Sequence, residues 1–372
     1  MRDACALFAC ENLSGLNINW APIILLGKML LFALCVLGFI LLVVLYIIWG
    51  LRRAMGAVQS RIGPNRVGWQ GLLQTPADAL KLLQKEDIIP ACADKWVFII
   101  APIVVFVPAY AVYAVMPFSS KMIASDLNIG ILYEAAITGI GIIGIIMAGW
   151  ASNNKWALLG AFRAAAQLVS FEVPMVLAFC VPVLLTGSLS LQEMVLQQGG
   201  VWGGFIPNWF IFQFKYWPIV PISLAVYFTS GLAEANLIPF DIMEAESELV
   251  SGYNVEYSGM KFALFFLAEF ATGFTLAALA TTMFLGGWQP LHPALGYPFL
   301  GIRIPALEPW IAQFIQFAWF FGKTLFLVIV LIWIRSTWPR VRVDQLLGFS
   351  WKVLLPVALG NLVLAGIWVA LS

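Results

Sequence analysis

Eight runs of mostly apolar residues limit what this chain can fold into. They lie at Met29–Gly50, Trp96–Pro117, Ile129–Trp150, Ala164–Leu185, Trp217–Leu237, Phe262–Leu285, Ile311–Ile334 and Val353–Leu371. A helix needs about 20 such residues to cross the hydrocarbon of a bilayer. No water is available there, so the backbone must satisfy its own polar groups, and a helix does so. The runs therefore predict an all-α polytopic membrane protein with about eight transmembrane helices in one membrane domain. Of the 372 residues, 62% are hydrophobic and only 10% charged, against roughly 25% charged in soluble domains. Pro102, Pro108 and Pro174 fall inside these runs, where membrane helices tolerate proline. The 16 Trp and 28 Phe suit lipid contact and interfacial belts. The first run is too long for a signal-peptide core and reads as a span.

Basic residues orient the bundle. The loops after the first, third, fifth and seventh runs, with their edges, hold Arg52, Arg53, Arg61, Arg66, Lys81, Lys85 and Lys95, then Lys155 and Arg163, then Lys261, then Arg335, Arg340, Arg342 and Lys352. These are 14 of the 20 Lys and Arg. That side is expected to be cytoplasmic, or the matrix, with both termini opposite. The net charge of +1 gives no reason to expect nucleic acid. Cys5, Cys10, Cys35, Cys92 and Cys180 lack metal-ligand spacing, and His292 is the single histidine, so no metal site is expected. Cys5 and Cys10 are either a disulfide or two free thiols.

Residues 51–95 form the first basic loop. Thr75 reads as an N-cap, with Pro76 at the first helical position and Asp78 at the third. Leu72, Pro76, Ala79, Leu80 and Leu83 recur at helical spacing, with Asp78, Lys81 and Lys85 on the polar side. This predicts a short amphipathic helix lying in the membrane surface; the plainer alternative is a soluble cytoplasmic helix. Before it, Gly63-Pro64-Asn65 signals a turn between Arg61 and Arg66. Those arginines either hold an acidic or polar partner or simply satisfy the orientation rule.

A second loop, residues 234–260, is acidic. Glu234, Asp241, Glu244, Glu246, Glu248 and Glu256 lie in it, and no Lys or Arg occurs between Lys215 and Lys261. Asp241 is seven residues from both Glu234 and Glu248, so on a continuous helix the three share a face, with Glu244 beside them. Pro239 argues instead that the face assembles by bending. Glu134, Glu172, Glu269 and Lys323 fall inside predicted spans, where each costs about 2.5–3.5 kcal/mol at a helix centre. Together with the acidic loop they suggest a polar path, with Lys323 placed to bias its charge. Glu134 lies near a span end, where a carboxylate can snorkel.

Four stretches carry a resemblance: RIGPNRVGWQGLLQTPADALKLLQKEDIIP after Ser60, GWASNNKWALLGAFRAAAQLVSFEVP from Gly149 to Pro174, Glu234 to Gly259, and WIRSTWPRVRVDQ from Trp333 to Gln345. In this order they resemble the membrane component of respiratory complex I that lies at the quinone site, from about Tyr46 to Pro356. The resemblance implies a subunit joining the membrane arm to the peripheral arm. A quinone tail would enter from lipid beside the first span and the amphipathic helix. Its headgroup would approach an iron–sulfur cluster in a neighbouring subunit, with flavin also in neighbours and no cofactor bound by this chain. By position, Arg52, Arg61, Asp78 and Phe266 match family residues along the quinone path. Glu172, Glu234, Asp241, Glu244, Glu246, Glu248 and Glu269 match the proton-coupling path toward antiporter-like subunits, and Arg163 and Lys323 match supporting polar positions. Residence in a bacterial inner membrane or the mitochondrial inner membrane follows.

The chain departs from that pattern at three places. Leu51-Arg52-Arg53 stands where the family usually has Glu-Arg-Lys, which removes a carboxylate from beside Arg52. Met243 replaces a helix-breaking proline of bacterial members, favouring a more helical acidic loop. Gly139 stands where some members carry an intramembrane acid. Two other functions compete: a membrane anchor of a related energy-converting hydrogenase or other complex I-like oxidoreductase, and an independent secondary transporter. The complete Gln59–Pro90 block opposes the first, and the lack of an internal repeat opposes the second. The charge asymmetry makes a direct prediction. Cysteines introduced at Ser60 and Ser258 will be shielded from an impermeant thiol reagent added outside intact cells; labelling of both from outside would invert the topology.

Overall fold

The structure is a computed structural model that describes residues 20–202, 206–243, 250–291 and 308–371. Its helices are α1 (Trp20–Val58), α2 (Gln74–Gln84), α3 (Lys95–Ala111), α4 (Gly130–Ala151), α5 (Lys155–Thr186), α6 (Leu191–Gln197), α7 (Ile219–Glu234), α8 (Gly259–Phe284), α9 (Glu308–Thr337), α10 (Val343–Phe349) and α11 (Leu355–Leu371). A five-residue π turn, Ser350–Leu354, joins α10 to α11. Two short antiparallel strands, β1 (Val201–Trp202) and β2 (Ile206–Pro207), make the sheet among the described residues. Seven helical runs there are long and apolar enough to cross a membrane. The eighth expected span corresponds to α7, which is apolar but has only 16 residues, about 24 Å at 1.5 Å per residue.

Several helices outrun their apolar cores. Helix α1 continues to Val58, through Gly50 and Gly56, and ends before Ser60, whose φ is positive. Arg52 and Arg53 are thus helical residues rather than loop residues. Helix α5 begins at Lys155, where the Asn154 side chain accepts from Trp156 N, so Arg163 also lies on a helix. The start of α2 differs from expectation. Leu73 occupies the N-cap position without a side-chain cap bond, and Thr75 lies one residue inside the helix, its Oγ1 buried without a partner.

Helix α8 is the hub. It packs against α1, α2, α3, α7 and α9 and is the most enclosed of the spans. Its second half reads Ala271, Gly273, Ala277, Ala278 and Ala280, small residues that let neighbouring backbones approach closely. Bulky side chains face outward elsewhere: Leu132 and Ile143 on α4, and Phe314, Phe326 and Trp333 on α9, are exposed. Buried hydroxyls link the hub to its neighbours. Tyr113 donates to the Ala271 carbonyl at 2.9 Å and accepts from Thr275 at 2.8 Å. Tyr227 of α7 donates to the Leu276 carbonyl at 2.9 Å.

The loops after the first, third, fifth and seventh spans meet at one end of the bundle. Ile88 N donates to Ser258 Oγ at 3.0 Å, and Lys261 pairs with Asp87 at 2.9 Å. Asn154 Nδ2 donates to Glu256 at 2.8 Å, and Arg340 pairs with Asp241 at 3.0 Å. At the other end, Ile131 N donates to the Leu189 carbonyl, and Ser120 bonds Gln316.

The α3–α4 contact supplies a stability prediction. A Cβ at Gly144 would press on the backbone of Val104 and Val105, whereas one at Gly360 meets nothing. Overpacking costs about 1–3 kcal/mol. Gly144→Ala will therefore lower the temperature at which the assembled complex is lost from a native gel, and Gly360→Ala will leave it unchanged.

Candidate functional site

At the loop-rich end, α1, α2 and α8 enclose a cleft of about 480 Å³. Arg52 projects from the last turns of α1 and meets Asp78 of α2 at 2.5 Å. Gln74, one turn before Asp78, donates to its other oxygen at 3.1 Å. Leu45, Ile48, Phe266 and Leu267 provide the apolar wall, and Lys81 and Lys85 stand at the rim. Ala79, Leu82 and Leu83 line the cleft together with Asp78, Lys81 and Lys85, so the side of α2 that reads as polar faces the cleft, while Leu80 is exposed and lines none of it. The cleft brings together Arg52, Asp78 and Phe266, three of the four residues expected on a quinone path. Arg61 is not among its lining residues. It is exposed in the turn beyond α1, donating to Gln59 at 2.6 Å. That turn packs tightly on the helix, since a Cβ at Gly56 would lie 3.0 Å from Gly63 N.

A second cavity, about 70 Å³, lies among α3, α4, α5, α7 and α8 and is lined by Glu172, Glu234 and Glu269. Thr138, Asn236 and Thr272 add polar groups. Its volume suffices for a few water molecules at roughly 10–15 Å³ each. Each acid comes from a different helix, so spacing along the sequence gives no sign that they share a cavity. Glu234 ends α7, after which Asn236 takes a positive φ of 51° and turns the chain away. Gln167 fixes that turn by donating to the Ala233 carbonyl at 2.7 Å. Gly139 makes room for Glu172: a Cβ there would lie 3.1 Å from Glu172 Oε1. The chain therefore does bend after Glu234, as Pro239 suggests.

Two expectations need correction. Glu134 does not snorkel: it is 2% exposed, because α4 is covered on that face by its neighbours. Lys323 is not beside the acids. Its Nζ donates to the Leu285 and Gln289 carbonyls at 2.7 and 3.0 Å and lies 4.3 Å from the Trp209 ring centroid. It thus caps the far end of α8, sixteen residues or about 24 Å from Glu269 along the helix, where a cation complements the free carbonyls. Arg163 is partly buried on α5 and lines neither the cleft nor the acid cavity. Met243 is buried in a turn, and residues 244–249, where it is expected to favour helix, lie outside the described residues. Glu244, Glu246, Glu248, Cys5, Cys10 and His292 lie outside the described residues.

Two arginines of the Trp333–Gln345 stretch, given no site role by the sequence, have contacts of their own. Arg340 holds Asp241, and the Val341 amide bonds the Pro239 carbonyl at 3.0 Å, so the start of the acidic loop is pinned to the segment after α9. Arg335 shares a small cavity with Glu269 and Leu51, its guanidinium 5.9 Å from the Phe270 ring centroid. Arg335 falls within the Trp333–Gln345 stretch, but nothing in that spacing points to Glu269.

An all-helical polytopic membrane protein with carboxylates in its interior and an ion-paired cleft at one end is the class defined here. Comparison supplies the family. The NADH dehydrogenase family matches residues 31–366. The H-subunit of the NADH-quinone oxidoreductase of Chlorobaculum tepidum is 45% identical over 361 residues, 96% of each chain. Its counterparts in Brevibacillus brevis and Geobacillus thermodenitrificans are 48% and 47% identical, over 90% and 92% of each chain. The chain belongs to this family.

The Asp241–Arg340 pair can be weighed directly. Neighbouring groups in one network couple by about 0.5–3 kcal/mol. In a double-mutant cycle, Asp241→Asn and Arg340→Gln will together destabilise the assembled complex by less than the sum of the single changes; additivity would mean the pair is solvated and idle.

Proposed function

We propose that the chain is the membrane subunit of a proton-translocating NADH:quinone oxidoreductase that forms part of the quinone-access tunnel and couples quinone reduction to proton movement. One observation carries the reading. Phe266 of the cleft and Glu269 of the acid cavity are three residues apart on α8, about 4.5 Å along the axis. A change at the cleft therefore need move only one helix turn, or its neighbours, to be felt at the carboxylates.

In this reading the apolar wall of the cleft receives the quinone tail from lipid, and the Arg52–Asp78 pair meets the polar headgroup as it passes. Electrons come from an iron–sulfur cluster in a peripheral-arm neighbour, supplied through flavin in another; this chain binds no cofactor, and quinone is its substrate. Reduction to quinol takes up two electrons and two protons. The resulting charge change acts on the loop that begins at Glu234 and Asp241. A carboxylate's proton affinity depends on the burial and the charges around it, and closely placed carboxylates titrate as a group. Loop movement that alters spacing among Glu234, Glu172 and Glu269 therefore shifts protons among them, toward membrane-arm subunits. Glu244, Glu246 and Glu248 would extend the same path, while Arg163 and Lys323 support the bundle. The setting is an energy-converting inner membrane with the basic loops on the cytoplasmic or matrix side.

Glu172→Gln and Asp241→Asn test this. Each will lower quinone reduction and proton pumping by at least tenfold in a complex that still assembles on a native gel and still reduces an artificial acceptor through its peripheral arm. Normal turnover and pumping in both variants would make these carboxylates structural.

A further inference from the structure

The interior acids named so far leave one buried carboxyl without a role. Glu134 lies on α4, is 2% exposed, and its Oε2 has no hydrogen-bond partner. Removing a carboxyl from water without pairing it is costly, and a group that only filled space would be better served by Leu or Met. The surroundings of Glu134 are polar in a specific way. Thr138, one turn further along α4, lines the acid cavity beside Glu172 and Glu234, and its hydroxyl donates back to the Glu134 carbonyl at 3.2 Å. Gly139, the next residue, is the surface on which the Glu172 carboxylate rests. Glu234 and Glu172 are close enough to Glu134 for their charges to act on it. Helix α4 enters the bundle at the end opposite the basic loops, where Ile131 N meets the Leu189 carbonyl. Glu134 is thus displaced from the cavity toward that far end.

We infer that Glu134 is a fourth carboxyl of the interior acid group and exchanges protons with Glu234 and Glu172, extending the group toward the opposite membrane face. The exchange is balanced: a proton leaving the Glu134 carboxyl is taken up by a Glu234 or Glu172 carboxylate, leaving Glu134 ionised and its acceptor neutral. The total charge of the group is unchanged by that step, so no unpaired charge is added to the interior. Gly139 lacks a side chain that would occupy the space between α4 and Glu172, which leaves the acid one turn away as the carboxyl that α4 contributes. This inference rests on the coupling reading above, and Glu172→Gln serves as the control that separates the two.

The test uses the assembled complex in sealed membrane vesicles and reads protons pumped per NADH oxidised, with Glu134→Gln and Glu134→Asp. Glu134→Gln will lower that ratio at least twofold, and Glu134→Asp, which keeps the carboxyl and loses one methylene, will restore most of it. Infrared difference spectra of reduced against oxidised complex give a readout independent of pumping. The protonated-carboxyl band will shift in Glu134→Asp and lose intensity in Glu134→Gln. Should Glu134→Gln fail to assemble, the spectrum of Glu134→Asp alone decides: no change from the wild-type band overturns the inference. A normal pumping ratio in Glu134→Gln, with Glu172→Gln impaired, also overturns it while leaving the coupling reading intact. Normal pumping in both would overturn the coupling reading itself.

Discussion

Close approach of helices around Gly259–Phe284 is the constraint on which the remaining structure depends. Lipid is as apolar as leucine, so no hydrophobic force holds one membrane helix against another. Contact comes from packing and from hydrogen bonds that find no competitor in hydrocarbon. The small residues of α8 allow that packing, and Tyr113, Thr275 and Tyr227 supply bonds to its carbonyls. Enclosed on so many sides, α8 can hold Glu269 away from lipid at its middle. The same enclosure places its start, with Phe266, against α1 and α2. The cleft and the acid cavity are therefore two sides of one helix rather than separate inventions.

The interior charges are distributed with a consistent logic. Cations finish helices or hold loops: Lys323 caps α8, and Arg340 fastens Asp241. Acids occupy the interior in a group drawn from α5, α7 and α8. Such a group is unstable with every member ionised, because like charges in a poorly solvated space repel. In the proposed coupling it shares protons, and changes that sharing when neighbours move. The turn at Asn236, fixed by Gln167, and the Asp241–Arg340 pair both fasten the start of the acidic loop.

Much of the architecture is legible in the sequence because bilayer thickness imposes a length scale on apolar runs. The eight runs each overlap a helix, and the amphipathic pattern of residues 72–83 corresponds to α2. Helix ends are less legible. Polar residues such as Arg52 and Arg163 continue a helix past its apolar core, and Thr75 resembles a cap by type while lying inside the first turn. The candidate site residues are named through resemblance, residue by residue, but their grouping is not legible in the sequence. Glu172, Glu234 and Glu269 meet only through tertiary packing. Lys323 is an intramembrane charge like them by composition, yet it lies about 24 Å away along α8. Glu134 reads as an interfacial residue because hydropathy marks distance along a span and not which face of a helix its neighbours cover.

Quinone entry through the cleft bounded by Arg52, Asp78 and Phe266 is the central claim. A photoreactive quinone analogue with a long apolar tail, irradiated with the intact complex in membranes, measures this most directly. The account predicts crosslinks within Arg52–Leu83 or near Phe266, abolished by excess quinone. Crosslinks confined to Val353–Leu371, with none at the cleft, would contradict it.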